Sequence, residues 1–122
     1  WLHFAESIGQ HIASLTQSHL MLRDPATRSL TVMKLETARL ARALRLVEQT
    51  VEGQDWLMAQ GFSGVDCAVG WSVWTAGRFV RLSPALQAYA DRCTARPAFR
   101  RALPQEGEPQ LYDRDFYELP DA

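Results

Sequence analysis

Phe62-Ser63-Gly64-Val65-Asp66-Cys67 decides how the rest of the chain is read. Ser63 and Asp66 have the spacing of a capping box. In that arrangement the Ser hydroxyl accepts from the backbone N–H of Asp66, and the Asp carboxylate reaches back to the N–H of Ser63. Asp stands where Glu or Gln is commoner. Phe62 and Cys67 occupy the two positions of a hydrophobic staple, which fixes the angle at which the chain enters a helix. The spacing predicts a helix from this box to about Phe79. It carries Val65, Val69, Trp71, Val73, Trp74 and Phe79, and no charge between Asp66 and Arg78. A helix apolar nearly all round belongs at the centre of a bundle.

Outward toward the C-terminus, Ser83-Pro84 reads as N-cap and first helical position. The helix it opens runs to about Thr94, with Leu86, Tyr89, Ala90 and Cys93 as its apolar stripe. Arg96-Pro97-Ala98-Phe99 begins a last short helix that Pro104 ends. Residues 104–122 form an acidic tail. Its Leu111, Tyr112, Phe116, Tyr117 and Leu119 are too apolar for a purely solvated segment, so the tail is expected to fold back on the helices.

Outward toward the N-terminus, Gly53 is a candidate C-cap and Gly61 a second break. Ala26 to about Glu52 reads as a long helix, with Leu30, Met33, Leu40, Ala41, Leu44, Val47 and Val51 on one face. Arg28, Arg39 and Arg42 line the other, a pattern that usually marks a solvated face. Asp24-Pro25 supplies the predicted N-cap and first position. Trp1 to Leu22 reads as the opening helix. Trp1, Phe4, Ala5, Ile8, Ile12, Leu15 and Leu22 share a stripe at about 100° per residue. The opposite face, with His3, Glu6, Gln10, Ser14 and Gln17, is polar but nearly uncharged. No stretch alternates long enough to argue a strand.

These elements give an all-α bundle of about five helices in one domain. The 122 residues carry a formal charge of −1, which excludes a basic field for nucleic acid or an anionic membrane. No apolar run approaches the roughly 20 residues that span a bilayer. The chain opens without an initiator Met or a basic leader, so we expect a piece of a longer protein that lacks a signal peptide. Cys67 and Cys93 match no metal or redox spacing, which fits a reducing, cytoplasmic setting.

The order of these features resembles the C-terminal domain of glutathione S-transferases. Trp1-Leu2-His3-Phe4-Ala5-Glu6 is similar to the start of that domain's first helix. Leu35-Glu36, Leu40, Leu44, Val47 and Glu48 resemble its second helix. Gln54-Asp55-Trp56-Leu57-Met58 followed by Phe62-Ser63-Gly64-Val65-Asp66 is similar to the segment that leads into its buried helix. Pro84-Ala85-Leu86-Gln87-Ala88-Tyr89 and Ala95-Arg96-Pro97-Ala98-Phe99 resemble its ending. The likeness covers residues 1–103. Val65 stands where the family often has Ala, and residues 67–75 fit no subclass pattern.

The resemblance implies attack of a glutathione thiolate on a small apolar electrophile. The catalytic residue and most glutathione contacts would sit on an N-terminal thioredoxin-like domain, which this chain lacks. It implies further that this domain contributes the acceptor wall and part of a homodimer interface, and is inactive alone. By the same resemblance, His3 approaches glutathione across the dimer, while Ser7, Gln10 and His11 border the cleft. An ordinary polar helix face accounts for these residues equally well. Trp71 and Trp74 are candidates for the acceptor wall, against plain core packing. Ser63 and Asp66 are structural. The other function this fold serves is a non-catalytic interaction module.

Two further constellations fail on geometry. His3, His11 and His19 are spaced so that each turns about 80° from the last, too far to share a metal. Ser63, Asp66 and a His lack the strand-to-helix elbow of a hydrolase nucleophile.

Overall fold

A computed structural model describes residues 1–119 of the chain. Among the described residues there are five α-helices and no strand, so the fold is an all-α bundle. The helices are α1 (Leu2–Leu15), α2 (Leu30–Val51), α3 (Gly64–Ala76), α4 (Pro84–Thr94) and α5 (Pro97–Ala102). The middle of the bundle is α3, which packs on both α1 and α4, while α1 also packs on α2. Among the described residues no helix is long and apolar enough to cross a membrane.

In α1, Ile8, Ile12 and Leu15 are buried as the stripe requires, but Leu22 is exposed. The regular helix stops at Leu15, and Thr16–Leu20 winds as a wider π-turn. That turn carries two buried polar residues, Thr16 and His19. The Thr16 hydroxyl donates to the Ile12 carbonyl at 2.8 Å and lies 3.0 Å from the Tyr112 hydroxyl.

The second helix begins at Leu30 rather than Ala26. Asp24 does act as a cap, accepting from the Ala26 N–H at 3.0 Å, but only for a 3₁₀ turn over Pro25–Thr27. Arg28 then turns extended (ψ 140) and ends it. Ser29 is the cap of α2, its hydroxyl accepting from the Val32 N–H at 3.3 Å. Gly53 is not a left-handed cap. The helix ends through Glu52 in a right-handed conformation, and it is Gly61, at φ 115, that uses glycine's freedom. Met33, Leu40, Leu44, Val47 and Val51 are buried as expected, Ala41 is exposed, and Glu36 joins the buried face.

Along α3, Val69, Gly70, Ser72, Val73, Thr75 and Ala76 are buried. It is not apolar-buried all round: Trp71 is 42% exposed and Cys67 is exposed. The helix ends at Ala76, before Phe79, which sits in the following turn and is buried there. At Gly70, α3 and α4 meet closely: a Cβ there would lie 2.5 Å from the Cys93 sulfur. The fourth helix matches its sequence reading in bounds, in its Ser83 cap (3.3 Å to the Leu86 N–H) and in its buried stripe.

The tail folds back. Tyr117 is 5% exposed, its N–H donates to the Arg78 carbonyl at 2.7 Å, and its ring stacks on Phe79 at 5.6 Å. Its hydroxyl donates to Asp113 Oδ1 at 2.8 Å and accepts from the Asp113 N–H at 2.9 Å. Residues 120–122 of the expected tail lie outside the described residues.

Candidate functional site

One buried carboxylate organises the centre of the molecule. Asp66 is 1% exposed and has four donors around it. Its Oδ2 accepts from the Ser63 N–H at 2.9 Å, the half of the capping box that comes from the acid. The Ser63 hydroxyl is 3.5 Å from the same oxygen, and the Asp66 N–H lies 3.0 Å from the Ser63 carbonyl. Oδ1 accepts from the Leu57 N–H at 3.1 Å and from the Tyr89 hydroxyl at 2.9 Å. Burying a charge is tolerable only when its oxygens are satisfied, and these are. Both oxygens are engaged in holding the loop, α3 and α4 together.

Phe62 and Cys67 keep the two staple positions about the Ser63 cap. They border the same hollow, and the Phe62 ring is also clamped by others. Trp56 meets it edge-on at 5.1 Å, and the Arg96 guanidinium lies 3.4 Å above it. The hollow itself, about 290 Å³, lies among α3, α4 and α5 and is lined largely by apolar groups. Cys93 is at its floor, with its thiol pushed up to about 11 by burial, so it stays a neutral thiol.

Trp71 lines this hollow and also a second one, of about 320 Å³, which Trp74, Arg78 and Tyr112 share. The two indoles are 5.2 Å apart, and Phe99 packs against both, at 5.7 and 5.3 Å. Arg78 covers Trp74 at 4.8 Å. Trp71 and Trp74 are therefore a cluster on the flank of α3, half in solvent, with Phe99 as the third member. Sequence reading placed Phe99 in a helix but not in this cluster, because the α4–α5 turn that brings it back is a tertiary feature.

The polar candidates of α1 separate. Ser7 and His11 line a shallow groove of about 430 Å³ between α1 and α2, with Arg39 and Arg42 on its other side. The Ser7 hydroxyl donates to the His3 carbonyl at 3.0 Å. His3 and Gln10 are exposed and line no described hollow; His3 sits against Phe4 at 6.0 Å. His11 meets buried Glu36, Nδ1 to Oε2 at 2.8 Å, and Arg39 grips the other oxygen, Oε1, at 2.7 Å. The hydrogen bond from His11 is the largest cause holding Glu36 below the usual carboxylate range; burial opposes it and Arg39 adds to it. Glu36 was absent from the sequence-derived site. Its signal was an acid within the apolar stripe, three residues after Met33 and four before Leu40.

The α1–α2 groove and the tryptophan hollows have no lining residue in common. Among the described residues no group of three His, Cys, Asp or Glu side chains is placed to hold a metal ion. Compared with known proteins, the chain matches no family model, no curated protein and no solved structure.

Proposed function

We propose that this chain is the helical C-terminal domain of a glutathione S-transferase-like enzyme, contributing an apolar acceptor wall and a dimer surface and depending on a separate thioredoxin-like domain for catalysis. The observation that carries the reading is the convergence on Asp66. The residues bonded to it, Leu57, Ser63 and Tyr89, belong to two of the sequence segments on which the family resemblance rests. Positions as far apart as Leu57 and Tyr89 meet at one carboxylate, and this supports the reading.

The rest of the site is compatible with the role. Trp71, Trp74 and Phe99 offer apolar aromatic area for a small electrophile. His11, Arg39 and Arg42 at the α1–α2 groove offer cationic or donor groups to a peptide carboxylate such as those of glutathione. Beside that groove, α2 exposes Val32, Leu35 and Leu46 on one flank, an apolar stripe suited to a second copy of the chain. The same stripe favours the other reading, a non-catalytic interaction module of the same fold.

The experiment is to express the chain together with the 80 or so residues that precede it in its parent gene and measure glutathione conjugation to a chloronitrobenzene. Turnover by the longer protein and none by this chain alone supports the transferase. A longer protein without a thioredoxin-like segment, inactive and without glutathione binding, favours the interaction module.

A further inference from the structure

The largest described hollow, about 650 Å³, shares no lining residue with the hollow beside Asp66 or with the α1–α2 groove. It lies where the π-turn at the end of α1, the Pro25 turn and the folded-back tail come together. We propose that it binds a small organic phosphate monoester, whose dianionic head is held by Arg23, Arg28 and Arg114 beside His19.

Charge is the first argument. Arg23 and Arg28 line the hollow from the two sides of the Pro25 turn and Arg114 from the tail, and the one carboxylate lining it is that of Asp113. Three guanidinium groups against one carboxylate leave a surplus of two positive charges. Asp113 is moreover occupied, accepting from the Tyr117 hydroxyl at 2.8 Å. None of the three arginines is ion-paired among the described residues. Unneutralised like charges brought together oppose folding, and a bound dianion offsets that.

His19 is the second and independent argument. It is 7% exposed, it lines the hollow, and its ring stands edge-on to Tyr117 at 6.0 Å. Among the described residues no hydrogen bond engages its ring nitrogens and neither is a sealed, orphaned atom, so the ring is open to a ligand in the hollow. Burial, then Arg28 and Arg114, hold its pKa below the ordinary histidine value, so the ring is neutral at pH 7 and donates one N–H without adding charge. It stands in a π-turn, an irregularity that recurs at functional sites.

The shape of the ligand follows. Three guanidinium donors around one hollow suit a tetrahedral head with three terminal oxygens better than a planar carboxylate, and guanidinium forks pair with phosphate oxygens. The hollow is far larger than an oxyanion, and its rim has the exposed apolar side chains of Met21 and Leu111. An organic remainder lies there. This inference does not depend on the transferase reading.

The test is calorimetric titration of the 122-residue chain with phenyl phosphate, with benzoate and phenol as the singly charged and neutral comparisons. Saturable binding of one phenyl phosphate per chain is expected, weakening as salt is raised. Arg114→Gln and Arg23→Gln change exposed side chains and leave the circular dichroism of the fold intact. Each weakens binding roughly tenfold or more, the loss of a charge-assisted hydrogen bond. An Arg100→Gln, Arg101→Gln double variant on α5 keeps the affinity. The proposal is overturned by the absence of saturable binding, by benzoate binding as tightly as phenyl phosphate, or by the α5 variant losing as much affinity as the site variants.

Discussion

The Tyr89 hydroxyl donates to Oδ1 of Asp66 across 2.9 Å, and this bond ties α4 to the first turn of α3 in the interior of the bundle. Both side chains are sealed from solvent, Tyr89 completely. A charge-assisted bond in such surroundings contributes more than its counterpart at the surface. Removing one partner leaves the other buried and short of a bond.

Tyr89→Phe removes only the hydroxyl, so Asp66 keeps its bonds from Leu57 and Ser63. The expected cost is about 1–3 kcal/mol, read as a lower midpoint in urea unfolding. Asp66→Ala releases three partners at once and costs more. Ser63→Ala costs less than either, because its hydroxyl stands 3.5 Å from the carboxylate while the backbone N–H carries the 2.9 Å bond. An order in which Ser63→Ala is the most damaging of the three would contradict this account.

Alkaline pH attacks the same residue. Burial above all, then Cys93 and the bond to Asp66, raise the Tyr89 pKa far above its ordinary value of 10.0. The folded state therefore holds this proton at pH values where the unfolded chain has lost it. The contribution is complete below about pH 10 and declines as pH rises above it. Tyr89→Phe is expected to flatten that decline, measured as melting temperature against pH between neutrality and strong alkali.

Glu36 does the opposite at acid pH. Its pKa falls below the ordinary 4.5, chiefly through the His11 hydrogen bond. Above pH 4.5 the carboxylate is ionised in both states and its interactions are fully present. As pH drops through the lowered folded value, the contribution disappears. Glu36→Gln should cost about 1–3 kcal/mol near neutrality, with the gap to the native sequence closing at the acid end. A gap that stays constant through the acid range would remove the His11–Glu36 bond from the explanation.

Gly70→Ala tests the contact between α3 and α4. Within a helix this replacement ordinarily stabilises by up to about 1 kcal/mol. Here the added carbon would meet the Cys93 sulfur at 2.5 Å, so destabilisation of about 1–3 kcal/mol is expected instead. Cys93→Ala in the same chain removes that sulfur, and the double variant should be more stable than the two separate losses add up to.

Tyr117→Ala is predicted to cost about 3–5 kcal/mol, the usual loss for a buried aromatic. It should also turn residues 105–119 into a site of rapid proteolysis. Rapid cleavage of the unaltered tail with no change in melting temperature would mean that the Phe79–Tyr117 stack does not hold it.

Local signals determined a good deal of this protein. Ser83-Pro84, the stripe from Leu86 to Cys93 and the Ser63–Asp66 box predicted α4 and the start of α3, because a cap and an apolar period act within a few residues of where they are written. Asp24-Pro25 misled, since it and Ser29 carry the same kind of cap signal, and which one opens the long helix depends on Arg28 turning extended between them. Apolar tail residues foretold the fold-back, but not that Tyr117 would stack on Phe79. What only the tertiary structure decided is company. Glu36 is drawn inward by His11 and Arg39, and Phe99 is returned to the two tryptophans by the turn before α5. His19 shares its hollow with Arg23 and Arg28 from the turn that follows it and with Arg114 from the distant tail. Periodicity assigns a residue to a face; it contains nothing about which other face arrives there, because that is settled by the packing of the whole chain at once.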